Sequence, residues 1–439
     1  MNLRRQEARL LAFAIAIGFL AFITMRANLD ATDSVSVWRF SLVSLVAVVA
    51  HFGVRRFAPL ADATLLPLAT LLNLLGLVMI SRLDLADATR AARQGALPTA
   101  PSFATQSAWT VLGFTLLLTV LVFIHDHRQL QRYTYTSMAL GLALLLMPLL
   151  PIIGSTVNGA RLWVSVGDRS FQPGEFAKLC LTVFFAGFLV LKRDSLALIR
   201  VRYHGLGWPR ARDLGPLFVS WLLSVAILVF ERDLGMSFLY FGLFIALLYL
   251  ATGQRTWLAL GAVLFMVGAT AAWVFFAHVQ ERVAIWWDPF GHAESQGYQV
   301  VQSLYGLATG GLFGTGLGSG FPYLVPFAKS DFILSAFGEE LGFVGLSAML
   351  MLYVVIVQRG LLIATRVRDS FGQLLASGLA VVLGLQTLIV AGGVTRLIPL
   401  TGLTTPFLSA GGSSLVANWI AVGLLLRISD TANRMRVEG

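Results

Sequence analysis

Charge is what this chain has least of. Asp, Glu, Lys and Arg make up 12% of its 439 residues, against about 25% in an ordinary soluble domain. Set beside 57% hydrophobic residues, that scarcity excludes a soluble globular protein and leaves a membrane protein. Cysteine is nearly absent too: Cys180 stands alone, which excludes a disulfide framework and a cysteine-built zinc site. The histidines are scattered, with no His-Glu-x-x-His spacing, so tight zinc is excluded as well. No Gly-x-Ser-x-Gly elbow supports a serine nucleophile. No polar stretch is long enough for a separate globular unit, and the chain reads as one polytopic domain.

The net charge of +10 does not point to nucleic acid, because the basic residues fall between apolar runs rather than along one stripe with interleaved aromatics. Membrane orientation explains them better. Arg4, Arg5 and Arg9 precede an apolar run without a small-x-small cleavage pattern, so the first span is expected to stay uncleaved. The pattern predicts an all-α polytopic transmembrane bundle of about twelve spans. They lie at roughly 10–27, 35–54, 62–80, 107–124, 133–153, 175–192, 214–231, 233–251, 257–277, 332–357, 371–391 and 412–428. Well over half of the Lys and Arg residues then fall on one side, which places both termini in the cytoplasm. A long outer loop, 278–331, separates spans nine and ten.

Four segments break the apolar pattern. Leu214 to Leu250 would make a helix about 55 Å long against a hydrocarbon core of about 30 Å, so it must fold back at Glu231-Arg232-Asp233. Asp233 there either faces a cavity or caps the returning helix, and the two roles can coexist. The short loop 154–174 carries Asn158, Arg161, Trp163, Asp168 and Arg169 and ends in QPGEFAKL. Pro173 suits a first helical turn, and Lys178 lies one turn beyond Glu175, within pairing distance. That pair is either structural or a cation held for a phosphate or a sugar.

In the long outer loop, Val300, Val301, Leu304, Tyr305 and Ala308 recur at helical spacing, with Gln299, Gln302 and Ser303 opposite, which predicts an amphipathic or re-entrant helix. The glycine-rich GLATGGLFGTGLGSG that follows is not a nucleotide loop, since no strand precedes it and no Gly-Lys-Ser/Thr closes it. It is expected to be either a mobile loop admitting a bulky substrate or a plain connector. Next, Asp331, Glu339 and Glu340 stand at the mouth of an apolar helix, where a carboxylate is costly unless it faces a cavity, a partner or the interface. Finally, GGVTRLIPLTGLTTPFLSAGGSS places Arg396 and broken backbone between the last two spans. Such backbone at membrane depth must be buried or line a cavity; the alternative is a simple outer loop.

Under one topology all four segments share the outer side. Together they offer carboxylates that can take a proton, cations that can steady an anionic leaving group, and room for lipid tails. Weakly held Mg²⁺ or Mn²⁺ needs only one or two protein oxygens and is compatible with this set. Residue pattern alone stops at a polytopic protein with an outward polar site, a description shared by transporters and lipid-processing enzymes.

From about residue 62 onward the chain resembles the SEDS family (shape, elongation, division and sporulation), the RodA- and FtsW-type proteins of bacterial cell-wall synthesis. The resemblance lies in four motifs in order, NGARLWVSVGDRSFQPGEFAKL, RDLGMSFL, SDFILSAFGEELGFVG and PLTGLTTPFLSAGGSS, the last closer to the elongation-type RodA branch. It implies a peptidoglycan glycosyltransferase that polymerises lipid II on the outer face of the bacterial cytoplasmic membrane. The growing glycan, still on its polyprenyl pyrophosphate, would be the donor, the transfer inverting, and a class B penicillin-binding protein the partner. Family members commonly have ten spans, so 1–61 is read as an added pair and 62–439 as the SEDS-type core.

The resemblance puts the essential outer-loop aspartate at Asp331, expected as the base, and further motif residues at Asp233, Glu175 and Lys178. Lys178, Arg161 and Arg396, in that order, are expected to steady the leaving pyrophosphate. Asp233 and Glu175 would orient these cations or bind a weak metal ion, while Glu339 would support Asp331 and Glu340 would only pack, with helix-helix pairing the alternative for both. The chain departs from the family at Gly174, where Ser is usual, and at Glu231-Arg232, where Gln-Pro is frequent. The rival function is a flippase or transporter of lipid-linked precursors.

Overall fold

The structure, a computed structural model, describes residues 3–95, 100–151, 153–157, 160–167, 169–197, 201–203, 206–208 and 211–438. Asn158 and Asp168 of the first motif lie outside the described residues. Long apolar segments become helices, as the composition demands. They are α1 (Leu3–Asn28), α2 (Ser34–Phe57), α3 (Leu65–Arg93), α4 (Ser102–Phe123) and α5 (Thr134–Leu146), then α6 (Pro173–Ala197), α7 (Ala211–Glu231), α8 (Leu234–Thr252) and α9 (Thr256–Phe275). After them come α10 (Ala277–Trp287), α11 (Tyr298–Gly310), α12 (Ile333–Arg366), α13 (Ser370–Val394) and α14 (Gly412–Glu438).

Among the described residues ten helices are long and apolar enough to cross a membrane. Outside those ten, the expected stretch 133–153 gives α5, 13 residues long or about 20 Å, followed by a 3-10 turn. The expected stretch 214–231 gives the 21-residue α7. The predicted loop at 154–174 is instead a small antiparallel sheet of β1 (Gly154–Val157), β2 (Ala160–Val166) and β3 (Arg169–Phe171), in the order β1-β2-β3. Alternating residues such as Arg161, Trp163 and Ser165 suit a strand, a period hidden by the shortness of the segment. A second hairpin, β4 (Val201–Tyr203) with β5 (Leu206–Trp208), follows α6.

The chain divides into two units. The first comprises Met1–His125, Ala284–Arg359 and Gln386–Gly439. Its core is aromatic: Trp419, fully buried, packs its ring 4.2 Å from Phe114 and 5.2 Å from Phe407. Two polar layers bracket that core along α3. Just before α3, Asp62 pairs with Arg359 at 2.6 Å, and the backbone of Leu60 donates to Asp430, itself bonded by Arg427 and Arg434. Near its other end, Arg82 pairs with Glu340, and Asp84 and Asp87 pair with Lys329. From Leu65 to Asp84 the helix rises about 28 Å, the thickness of a hydrocarbon core. Charges are thus confined to two levels, with apolar packing between.

The second unit comprises Asp126–Val283 and Gly360–Leu385. Phe184, Phe185, Phe188 and Phe244 are buried together, and Trp221 stacks on Phe244 at 4.9 Å. Helix α9, by contrast, buries only Trp257 and Gly261, leaving an apolar face of the kind that suits lipid.

Candidate functional site

In the first unit, Asp331 does not sit on a helix. It is half-buried, in a turn two residues before α12, rather than at the start of the expected continuous span 332–357. The turn is held on two sides. The backbone carbonyl of Lys329 accepts from the Ala410 N–H at 2.7 Å, and that of Ser330 from the Ser409 hydroxyl at 2.6 Å. On the other side the Lys329 ammonium donates to Asp84 and to Asp87, at 2.6 Å each. Burial works against that charge, but the two carboxylate bonds outweigh it and hold the ammonium above its ordinary pKa.

The 401–411 segment that meets this turn is not a simple outer loop. Leu403, Thr405, Phe407, Leu408 and Ser409 are buried. Its carbonyls are satisfied from several helices, with Gln386 donating to Thr404 at 3.0 Å, Gln106 to Ser409 at 3.0 Å, and the Tyr353 hydroxyl to Pro406. Buried irregular backbone requires such partners. A methyl group on Gly402 would stand 3.9 Å from Asp331 Oδ2, so this segment passes close to the carboxylate. Arg396, just before it, has a left-handed backbone (φ 61°) and donates to the carbonyls of Trp286 at 2.8 Å and Trp287 at 2.7 Å, at the C-terminus of α10. It satisfies helix-end carbonyls there, a favourable place for a cation.

The glycine-rich loop, expected as either a mobile loop or a plain connector, is tied through its backbone to α12. The backbone N–H groups of Thr315 and Gly316 donate to the carbonyls of Glu339 and Glu340 at 3.0 Å, and those of Phe343 and Val344 donate back to Gly311 and Leu312. This exchange is possible because α12 breaks at Gly342 (φ 68°), a conformation that favours glycine. The acids finish the web. Glu339 accepts from the Phe321 N–H at 2.6 Å, and Glu340 accepts from the Gly318 N–H at 3.0 Å and pairs with Arg82 at 2.9 Å. Both are buried. Glu340 is therefore an ion-pair partner rather than mere packing, while Glu339 anchors the loop that leads to the Asp331 turn.

Helix α11 forms as expected, but its faces are otherwise than the apolar spacing suggests. Val300, Val301, Ser303, Gly306 and Gly310 are buried, whereas Tyr305 is 53% exposed. Small residues win because a Cβ on Gly310 would come within 2.0 Å of the Gly338 carbonyl. The Ser335 hydroxyl donates to the Ser303 carbonyl at 2.9 Å.

In the second unit, Glu175 and Lys178 pair at 2.5 Å on the first turns of α6, both buried. Asp233 caps α8 through the Met236 N–H at 2.9 Å and lies within electrostatic range of Glu175 and Arg282. Tyr240, two turns along α8, ties the cluster together by donating to the Gly174 carbonyl at 2.9 Å. A Cβ on Gly174 would meet nothing nearer than 3.9 Å, so the family's serine would fit. Arg232 has φ 65°, which a proline could not adopt; the departure at Glu231-Arg232 thus goes with a turn that Gln-Pro could not make. Glu231 is buried, and its Oε1 has no hydrogen-bond partner among the described residues. Arg161, on β2, donates to the Leu150 carbonyl at 3.0 Å.

The structure therefore brings Asp331, Glu339 and Arg396 into the first unit and Glu175, Lys178, Asp233 and Arg161 into the second. Sequence reasoning missed Arg82, Asp84, Asp87, Lys329 and Tyr240. A signal existed for the first three: they sit where α3, 29 residues long, outruns a membrane core. Among the described residues no group of three or more His, Cys, Asp or Glu side chains is placed to hold a metal ion.

Comparison with known proteins fits this arrangement. A model of the FtsW/RodA/SpoVE family, described as cell cycle protein, matches residues 62–434. The peptidoglycan glycosyltransferase RodA of Mycobacterium tuberculosis (strain ATCC 25618 / H37Rv) is 48% identical over 433 residues, covering 98% of this chain and 91% of its own. Stage V sporulation protein E of Bacillus subtilis (strain 168) is 35% identical over 289 residues, 65% of this chain and 76% of that one. A solved structure on the structural coordination of polymerization and crosslinking by a peptidoglycan synthase complex superposes with a TM-score of 0.67 at 27% identity, covering 85% of this chain and 98% of that one. The rod shape determining protein RodA of Thermus thermophilus shares the fold, with a TM-score of 0.59 at 24% identity over 84% of this chain and 96% of its own. The chain is a multi-pass membrane protein and belongs to the FtsW/RodA/SpoVE family of cell cycle proteins, the SEDS family that its motifs resemble.

Proposed function

We propose that the protein is a peptidoglycan glycosyltransferase of the elongation type, polymerising lipid II into glycan strands on the outer face of the cytoplasmic membrane. The observation that carries this reading is the setting of Asp331. It is a half-buried carboxylate in a turn outside any helix, on backbone bonded from two sides. A sugar hydroxyl has a pKa far above 7 and must lose its proton as it attacks an anomeric carbon. A fixed carboxylate within hydrogen-bond reach takes that proton.

In this mechanism Asp331 activates the acceptor 4-hydroxyl, and attack opposite the polyprenyl pyrophosphate inverts the anomeric carbon, as in single displacement. The departing pyrophosphate gathers negative charge, which a fixed cation in a low-dielectric setting stabilises strongly. That role falls first to Lys178, a residue of the family motif, with Glu175 and Asp233 orienting it, and then to Arg161 and Arg396. Both arginines donate to backbone carbonyls. Any Mg²⁺ or Mn²⁺ would be held mainly by the pyrophosphate oxygens. The partner is a class B penicillin-binding protein, both termini are cytoplasmic, and residues 1–61 are a pair of spans added to the 62–439 core.

The test is polymerisation of labelled lipid II by the purified protein with its cognate transpeptidase. Glycan polymer is expected, and Asp331→Asn should lower its rate by about 10²- to 10⁴-fold with the folded state intact. A protein that moves lipid II across vesicles and makes no polymer would be a transporter instead.

A further inference from the structure

We propose that the Asp84–Lys329–Asp87 cluster is a positioning device for Asp331, setting where the base stands and how readily it holds a proton. The proposal rests on the reading of Asp331 as the base.

Geometry comes first. Lys329 and Asp331 are separated by one residue of non-helical chain, so their Cα atoms are at most about 7 Å apart, and a displacement of one is carried to the other. The Lys329 side chain is the charged anchor of this turn, with both of its carboxylate partners on α3 at 2.6 Å. Asp84 is itself fixed, since its Oδ2 also accepts from the Phe103 N–H at 2.7 Å, at the start of α4. The rest of the lead-in is bonded to the same stretch of α3: Arg82 donates to the Gly320 carbonyl at 2.7 Å and pairs with Glu340, which holds Gly318. One short stretch of α3, 82–87, therefore holds the loop from Gly318 to Lys329 at both ends, while residues 409–410 hold the carbonyls of Lys329 and Ser330.

Charge comes second. One ammonium and two carboxylates leave the cluster with a net negative charge, anchored two residues along the chain from Asp331. Arg82 and Glu340 offset one another, the Glu339 carboxylate accepts from the Phe321 backbone, Arg396 donates to the carbonyls of Trp286 and Trp287, and the 401–411 segment carries no charged residue. A nearby negative charge favours the protonated form of a carboxylic acid, which moves a base toward the pH at which it must work. Removing the ammonium makes the cluster more negative, and removing one carboxylate makes it neutral. The two changes must therefore move the titration of Asp331 in opposite directions, which no merely structural role requires.

The experiment compares full-length Lys329→Met, Asp87→Asn, Asp331→Asn and the exchange Lys329→Asp with Asp87→Lys, each with the transpeptidase, measuring kcat, KM for lipid II and the acid limb of the kcat–pH profile. Lys329→Met should lower kcat by about 10- to 100-fold, the cost of a misplacement near 1 Å, with KM within about threefold of wild type. Its acid limb should move up by about half a pH unit and that of Asp87→Asn down by a similar amount. The exchange, which keeps one cation between two carboxylates, should recover most of the lost kcat. Wild-type kcat in Lys329→Met, or acid limbs that stay put or move the same way, would overturn the clamp while an inactive Asp331→Asn leaves the base reading standing. Full activity in Asp331→Asn would remove both. Should Lys329→Met fail to fold, Asp87→Asn decides, because Asp87 is 44% exposed and makes no other ion pair among the described residues.

Discussion

The two units hold the acids of their motif segments in opposite ways. In the second, Glu175 finds Lys178 three residues along its own helix, and Asp233 caps the helix it begins. In the first, Glu340 reaches Arg82 across 258 residues of sequence, and Lys329 reaches Asp84 and Asp87 across 245 and 242. Local pairs form whenever their helix forms. Long-range pairs form only once the unit has folded, and they hold loops that would otherwise wander. Rigid secondary structure thus fixes Glu175, Lys178 and Asp233 in the second unit, and tertiary ion pairs fix the first unit's turn.

Cutting the local pair is the strongest test of that contrast. Lys178→Met leaves Glu175 buried without its cation, and removal of one partner of a buried pair costs about 3–5 kcal/mol. The thermal unfolding midpoint in detergent should fall sharply. Most of the loss should return in the double variant Glu175→Leu, Lys178→Met, because no buried charge is left uncompensated. A double variant as unstable as the single one would mean that the pair serves a wider network.

The first unit is best probed where its loop web depends on backbone shape. Gly342→Ala imposes a side chain at φ 68°, with a Cβ 2.3 Å from the Gly314 nitrogen. Strain and overlap together should cost about 2–3 kcal/mol. The amides of Thr315 and Gly316 should then lose hydrogen-exchange protection, and unchanged protection would show that the web does not need the break. Serine at Gly174 in the second unit, where space exists, should be neutral by comparison.

A smaller effect is expected at Asp369, which joins the second unit's elements by a longer-range bond. Its carboxylate meets His127 at 3.0 Å and caps α13 through Gly372 at 2.7 Å. Burial raises its pKa, but the bonds from His127 and Gly372 outweigh this and bring it down to about 2. A carboxylate depressed below its unfolded value of about 3.9 contributes stability that is fully present above that pH and lost as the pH falls through about 2. Asp369→Asn should therefore cost about 1–2 kcal/mol at neutral pH, and its difference from wild type should close between about pH 4 and pH 2. A difference that persists at the acid end would assign the effect to packing instead.

Sequence reasoning reached what short-range physics controls. Hydropathy placed the long helices, the i,i+3 spacing placed Glu175 with Lys178, and the polar break at Glu231-Arg232-Asp233 placed the turn that Asp233 caps. It failed where a neighbour distant in sequence decides. The face of α11 was misassigned because Gly338, rather than the helix's own apolar pattern, selects which residues lie inside. Whether the glycine-rich loop is mobile or a plain connector stayed open, because its anchors, Glu339 and Glu340, lie beyond it in sequence and meet it only in the fold.

What the amino-acid order determined by itself is therefore the membrane character, the helices and the residues that carry the chemistry, since apolar period, helix caps and motif spacing act within a few turns. What only the tertiary structure decided is how Asp331 is held. Its turn depends on a lysine meeting two aspartates from a helix some 240 residues earlier and on backbone bonds to residues 409–410. No local rule encodes such partners, because their energy appears only when the chain has folded back on itself.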